Sequence, residues 1–131
     1  YDEAIFLTVD GHVSEGSAEN LFIVRKGKLI TTPVYEDILE GITRATIIQL
    51  AREYLDVTVE ERPIDRTELY VVFLVGTGAQ VSAVGEIDRR RVGNGEIGPI
   101  TQRIQKLYFD VVKGRVPALR HWLTPVYQEA N

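Results

Sequence analysis

Hydrophobic positions change their period several times along the chain, and each change marks an element. Ala4-Ile5-Phe6-Leu7-Thr8-Val9 is apolar and β-branched and stops at Asp10-Gly11, a strong hairpin-turn dipeptide. This predicts a strand, a turn and a second strand. Leu21-Phe22-Ile23-Val24-Arg25 and Lys28-Leu29-Ile30-Thr31 flank Lys26-Gly27 as a second hairpin, and Pro33, which has no amide hydrogen, ends that ladder. Across residues 43 to about 55, Ile47, Ile48, Leu50, Ala51 and Leu55 recur at helical spacing, which predicts an amphipathic helix.

Val57-Thr58-Val59-Glu60-Glu61-Arg62 reads as a short strand, and Asp65-Arg66-Thr67-Glu68 has the spacing of a reciprocal helix cap on a short helix. Val71-Val72-Phe73-Leu74-Val75 is wholly apolar, too short for a helix and bounded by Gly76, so it predicts a buried strand. Residues 81–87 and Arg91-Val92 are predicted strands around Asp88-Arg89-Arg90, with a further turn at Asn94-Gly95. Pro99 is placed to open a last helix whose apolar positions Ile100, Ile104, Leu107, Tyr108 and Val111 share one face until Gly114 closes it. Between Pro117 and Pro125 an irregular tail is expected, pinned by Trp122 and Leu123.

Composition narrows the class. At 131 residues with 44% hydrophobic positions, the chain can bury one domain's core. Fifteen Lys and Arg against 19 Asp and Glu give a net charge of -4, which argues against a nucleic-acid partner held through phosphates. The short Arg89-Arg90-Arg91 run reads as an exposed turn. With no cysteine there is neither a disulfide framework nor a thiolate nucleophile, which suits the cytosol. No apolar run approaches the roughly 20 residues of a membrane span. Since the sequence opens at Tyr1 in what reads as a strand approach and holds no methionine, the expectation is a piece of a longer polypeptide. His12 and His121 have no second ligand at metal spacing, so both are expected to be solvated and no metal is expected.

Three segments carry candidate chemistry. Glu15 lies in Asp10-Gly11-His12-Val13-Ser14-Glu15-Gly16-Ser17-Ala18-Glu19-Asn20-Leu21-Phe22; it is either a solvated residue after a hairpin or a carboxylate aimed at a cation. In Glu40-Gly41-Ile42-Thr43-Arg44 a glycine stands just ahead of a helix whose opening amides have no intrahelical partner, so an anion can bind there. The alternative is that Thr43 caps its helix. Arg44 could lend charge to an anion or pair with an acid. Gly76-Thr77-Gly78-Ala79-Gln80 follows a buried strand and either marks a turn or brings backbone amides close to an anion.

Together these segments resemble the cofactor half of the fold-type-IV pyridoxal-phosphate aminotransferases, most closely the branched-chain-amino-acid aminotransferases, from Tyr1-Asp2-Glu3-Ala4 to Trp122-Leu123. The resemblance implies an α+β domain, residues 1–131, in which a curved mixed sheet, a pseudo-barrel, is flanked by helices. It implies pyridoxal 5'-phosphate as cofactor, with Glu15 at the ring nitrogen and the phosphate on the backbone of Ile42 and Thr43, the Thr43 side chain and Thr77, beside the packing of Leu39. Gly78 and Ala79 would receive the substrate carboxylate. The implied partners are an amino acid, leucine, isoleucine or valine, and a 2-oxo acid, in a cytosolic homodimer or assembly of dimers. In that family the lysine that forms the Schiff base lies upstream of Tyr1, and Lys26, Lys28, Lys106 and Lys113 match no such position, so no catalytic residue is expected in this chain.

A D-amino-acid aminotransferase or an aminodeoxychorismate lyase shares these motifs, although Gly98-Pro99-Ile100-Thr101 and Arg91-Val92-Gly93-Asn94-Gly95 look more like the branched-chain group. A noncatalytic phosphate- or partner-binding module is the reading from another class. One departure stands out: relatives usually carry Ala-Asp-Glu where this chain runs straight from Leu69-Tyr70-Val71 into Val72-Phe73. A loss of three residues there would strain the approach of the Gly76 loop.

Overall fold

A computed structural model describes residues 2–126, so the expected strand approach at Tyr1 lies outside the described residues. Strands β1 (Ile5–Leu7) and β2 (Val13–Gly16) form an antiparallel two-stranded ladder. Their turn closes through the Gly11 amide donating to the Thr8 carbonyl at 2.9 Å, and Gly11 takes the positive φ of 86° that a side chain would resist. β3 (Asn20–Arg25) and β4 (Lys28–Thr31) make the second hairpin, with Lys26 and Gly27 both at positive φ, as the dipeptide predicts.

Helix α1 (Ile42–Tyr54) crosses to β5 (Val59–Glu61), which pairs parallel with β4. After it comes a single 3₁₀ turn, Arg66–Glu68, then β6 (Val72–Gly76) and β7 (Gln80–Val84). The sheet order is β5-β4-β3-β6-β7, antiparallel apart from the β4 and β5 pair, so the domain is α+β with a mixed sheet. β8 (Glu86–Ile87) and β9 (Arg90–Arg91) form a separate ladder, and α2 (Pro99–Val112) follows. No helix among the described residues is long and apolar enough to cross a membrane.

β3 is buried on both faces because successive side chains point to opposite sides. Phe22 stacks on Phe73 of β6 with ring centroids 5.2 Å apart, and with Leu29, Val75 and Val81 forms the face that receives Ile47, Ile48 and Ala51 of α1 and Ile104 of α2. On the opposite face Leu21, Ile23, Ile30, Val72 and Leu74 are covered by Val13, Ile64 and Val92.

Among the described residues the main sheet keeps two open edges, β5 and β7, and does not close into a barrel. Three expectations need correction, the first where β7 stops before Gly85. Residues 81–87 are accordingly two strands, and the turn between β8 and β9 is Asp88 and Arg89, both at positive φ, while Arg90 pairs with Ile87. The tail is not irregular: Pro117–Trp122 is 3₁₀-helical, since Leu119 reaches Leu50 and Val111 and Trp122 packs on them. Finally, His12 is not simply solvated, as its Nδ1 lies 3.2 Å from both carboxylate oxygens of Glu36.

The Leu69-Tyr70-Val71 junction leads into β6 without disturbing it, and all five β6 residues pair in register with β7. Glycines make room for it. A Cβ at Gly93, at φ +59°, would lie 3.1 Å from the Tyr70 carbonyl oxygen, and one at Gly98 would lie 3.3 Å from the Val71 side chain.

The predicted reciprocal cap is present: Asp65 accepts from the Thr67 amide at 2.8 Å, and Glu68 accepts from the Asp65 amide at 3.2 Å. Glu68 also takes Arg62 through two hydrogen bonds, 3.0 and 2.8 Å, and bonds Arg25. The Arg62 guanidinium is the main reason its carboxyl falls from the ordinary 4.5 to about 2. A carboxylate favoured by folding stabilises fully above its unfolded value and loses that contribution as pH falls from about 4.5 toward 2. Glu68→Gln should therefore lower stability at pH 7 by about 1 kcal/mol, a value limited by the exposure of both arginines. It should also flatten the acid limb of a denaturation-versus-pH curve in that window; an unchanged limb would return Glu68 to a neutral capping role.

Candidate functional site

Glu15 sits on β2 with its carboxylate turned toward the start of β3. One oxygen, Oε2, accepts from Asn20 Nδ2 at 2.9 Å and from the Leu39 amide at 3.0 Å. The second Asn20 side-chain hydrogen goes to the Leu39 carbonyl at 2.8 Å. Glu15 is thus held on the wall of a cleft rather than solvated, and the loop reading of this residue is set aside.

Opposite it, α1 opens behind Gly41, which serves as the N-cap with no side-chain cap bond. Its first amides have no intrahelical partner, and the helix dipole adds positive character there. Thr43 is the second helical residue and does not cap, which corrects the capping alternative: the packing of Ile47, Ile48 and Ala51 sets the helix frame, and the helix begins before the threonine. Arg44 is committed elsewhere. Only 5% exposed, it donates from Nη2 to the Thr32 carbonyl at 3.0 Å and to Glu61 at 2.7 Å, which resolves its ambiguity in favour of the ion pair.

The third wall is the end of β6. A Cβ on Gly76 would lie 2.9 Å from the Ala18 carbonyl oxygen and 3.3 Å from Glu19, so only glycine lets this strand end lie against residues 17–19. Thr77 and Gly78 are exposed in the turn to β7, and Ala79 is half-buried with its carbonyl accepting from Ser82 at 2.7 Å. The turn reading of this loop therefore holds.

A cleft of about 390 Å³ brings Glu15, Leu39, Ile42, Thr43 and Thr77 together. That volume lies within the roughly 300–1,000 Å³ of small-molecule sites. Gly78 and Ala79 do not line it; they continue the hairpin beyond its rim. Leu39 and Ile42, 75% and 87% exposed, stand at its mouth. At the acidic end, hydrogen bonds from the Ser17 side chain and the Ala4 amide hold the Glu3 carboxyl at about 2, while burial and the bond to Glu3 push Glu19 up.

Sequence reasoning missed two residues. Asn20 was only a position within a motif, and Gly41 only a glycine before a helix. The available signal was an asparagine opening an apolar strand, where a buried polar side chain needs partners.

The cleft thus sets a hydrogen-bonded carboxylate across from an uncapped helix start. Residues 1–87 match the family model described as Amino-transferase class IV, and the chain belongs to that family. A curated protein of Aquifex aeolicus named "Probable branched-chain-amino-acid aminotransferase" is 55% identical over 132 residues, covering 98% of this chain and 42% of its own length. The solved branched-chain amino acid aminotransferase of Thermobaculum terrenum in its PLP form superposes with a TM-score of 0.92 at 49% identity, over 98% of this chain and 43% of that one. The enzyme from Thermoproteus uzoniensis, solved with norvaline, gives 0.91 at 48% identity over 97% and 42%. The chain thus spans less than half the length of the relatives it matches.

Gly41 generates a sharp test. A Cβ there would collide with the Asn20 side-chain oxygen. Gly41→Ala should lower the stability of the chain by about 1–3 kcal/mol, the range for forcing atoms into a packed site, measured by urea denaturation. A loss under a few tenths of a kcal/mol would show that Asn20 swings aside at no cost.

Proposed function

We propose that this chain is the cofactor-binding domain of a branched-chain-amino-acid aminotransferase that uses pyridoxal 5'-phosphate. The intact enzyme would move the amino group of leucine, isoleucine or valine to 2-oxoglutarate. One observation carries the reading: a hydrogen-bonded carboxylate, Glu15, faces an uncapped helix start and the Thr77 turn across a single cleft. The cofactor supplies the electron sink that makes the α-proton of an amino acid removable. Glu15 holds a proton at the ring nitrogen. The Ile42 and Thr43 amides with the Thr43 and Thr77 hydroxyls bind phosphate, Leu39 packs on the ring, and the Gly78 and Ala79 amides orient the substrate carboxylate. The names of the relatives favour this activity over the D-amino-acid aminotransferase and lyase alternatives, and norvaline in one of them is an unbranched apolar amino acid.

We further infer that residues 1–131 form one domain of a longer protein, a cytosolic dimer or assembly of dimers. The exposed Leu39 and Ile42 at the cleft mouth support a covering partner. None of Lys26, Lys28, Lys106 and Lys113 lines the cleft, which supports a reactive lysine outside this chain.

Titration of the 131-residue chain with pyridoxal phosphate should therefore show saturable, noncovalent binding competed by inorganic phosphate. Thr77→Val keeps the shape but deletes a hydroxyl bond to a charged group, which contributes about 1.5–3 kcal/mol, so affinity should fall roughly ten- to hundredfold. An unchanged dissociation constant would return Thr77 to a purely structural role. The same purified chain should give no conversion of leucine with 2-oxoglutarate. Turnover that survives removal of contaminating enzyme would overturn the placement of the lysine.

A further inference from the structure

Asn20 is among the few polar residues inside this domain, 5% exposed, and both amide hydrogens of its side chain are engaged. Its two amide hydrogens go to different elements: one to Glu15 Oε2 on β2 at 2.9 Å, the other to the Leu39 carbonyl ahead of α1 at 2.8 Å. The Leu39 amide returns a bond of 3.0 Å to the same carboxylate oxygen, closing a ring of three hydrogen bonds. The side-chain oxygen of Asn20 packs against Gly41, the N-cap of α1. Its backbone is fixed in the centre of the sheet, opposite Val75.

The segment before α1 is tied down at Glu36 by His12 and at Asp37 by Ser14 Oγ, which donates to its carbonyl at 3.0 Å; nearer the helix, Asn20 holds Leu39. Leu39 and Glu40 are exposed, and the local backbone bond, Gly41 amide to Leu39 carbonyl at 2.9 Å, lies within the segment itself. From this geometry we propose that Asn20 is the positioning residue that sets the Glu15 carboxylate and the start of α1 at a fixed separation, so that the two ends of one ligand are recognised together. The proposal rests on the pyridoxal-phosphate reading of the cleft and adds a residue to it. Asn20 also lines the cleft, but both of its side-chain hydrogens go to the protein, so it acts through Glu15 and through the Leu39 carbonyl. Aspartate at this position would confront Glu15 with a second carboxylate and offer no donor, and leucine would keep the approximate volume while removing both bonds.

The experiment compares two probes on the 131-residue chain by equilibrium titration: pyridoxal phosphate, and its carbocyclic analogue with C–H in place of the ring nitrogen. Only the first can give a hydrogen to Glu15. The wild-type chain should prefer it by roughly tenfold or more, the range of a hydrogen bond to a charged group. Asn20→Leu and Asn20→Asp should reduce that preference to about threefold or less, with a smaller loss for inorganic phosphate; circular dichroism identifies which variant keeps its fold, and either one alone decides. A merely structural role would weaken both probes by the same factor and leave the preference intact, which would overturn the proposal while leaving Glu15 in place. A wild-type chain that binds both probes equally would overturn the ring-nitrogen role of Glu15, and the Asn20 proposal with it.

Discussion

The register of β3 against β6 is the constraint on which the rest depends. Phe22 opposes Phe73 and Asn20 opposes Val75, so the residues facing α1 on both strands are fixed by one aromatic stack. Truncating such a buried ring costs about 3–5 kcal/mol. Because side chains alternate, a slip of one residue would turn Phe22 and Asn20 to the Val13 and Ile64 face, away from the helices. The same pairing that builds the core therefore aims the polar side chain that meets Leu39 and Gly41, and it ends β6 at Gly76 against residues 17–19.

The cleft offers an anion dipoles rather than charges. The chain is net negative, Glu3 and Glu19 sit near one end, and Arg44 is occupied with Glu61. Long-range attraction is consequently weak, and at physiological salt it fades within about 8 Å. Close contact decides the balance. A hydrogen bond to a charged group contributes about 1.5–3 kcal/mol, several can form at an open helix start, and the helix dipole adds about 0.3–1 kcal/mol. Such bonds demand a ligand whose oxygens reach the amides directly.

Elements governed by local backbone chemistry were legible in the sequence: Lys26-Gly27 as a turn, Pro99 opening α2, and the Asp65 to Glu68 cap all appear where their residues require them. The place of Glu15 on the cleft wall was legible through its surrounding motif. The role of Asn20 was not, because its partners lie 5 and 19 residues away and meet it only after β2, β3 and the segment before α1 have packed. Thr43 misled for a related reason. Its residue type favours capping, but the core positions of α1 set the frame and leave Gly41 at the cap. The 3₁₀ tail depends on contacts such as Leu119 with Leu50, which no window of neighbouring residues contains.

Helix α1 begins without a side-chain cap, and such a cap usually stabilises a helix by about 1 kcal/mol. An anion seated on those amides would supply what the sequence omits, so occupancy and folding become linked quantities. At a free ligand concentration of about one hundred times the dissociation constant, linkage adds about 2.7 kcal/mol to the folded state. A chain emptied of its ligand would spend more time with this helix start open, and its resistance to proteolysis would follow the supply of the molecule it binds.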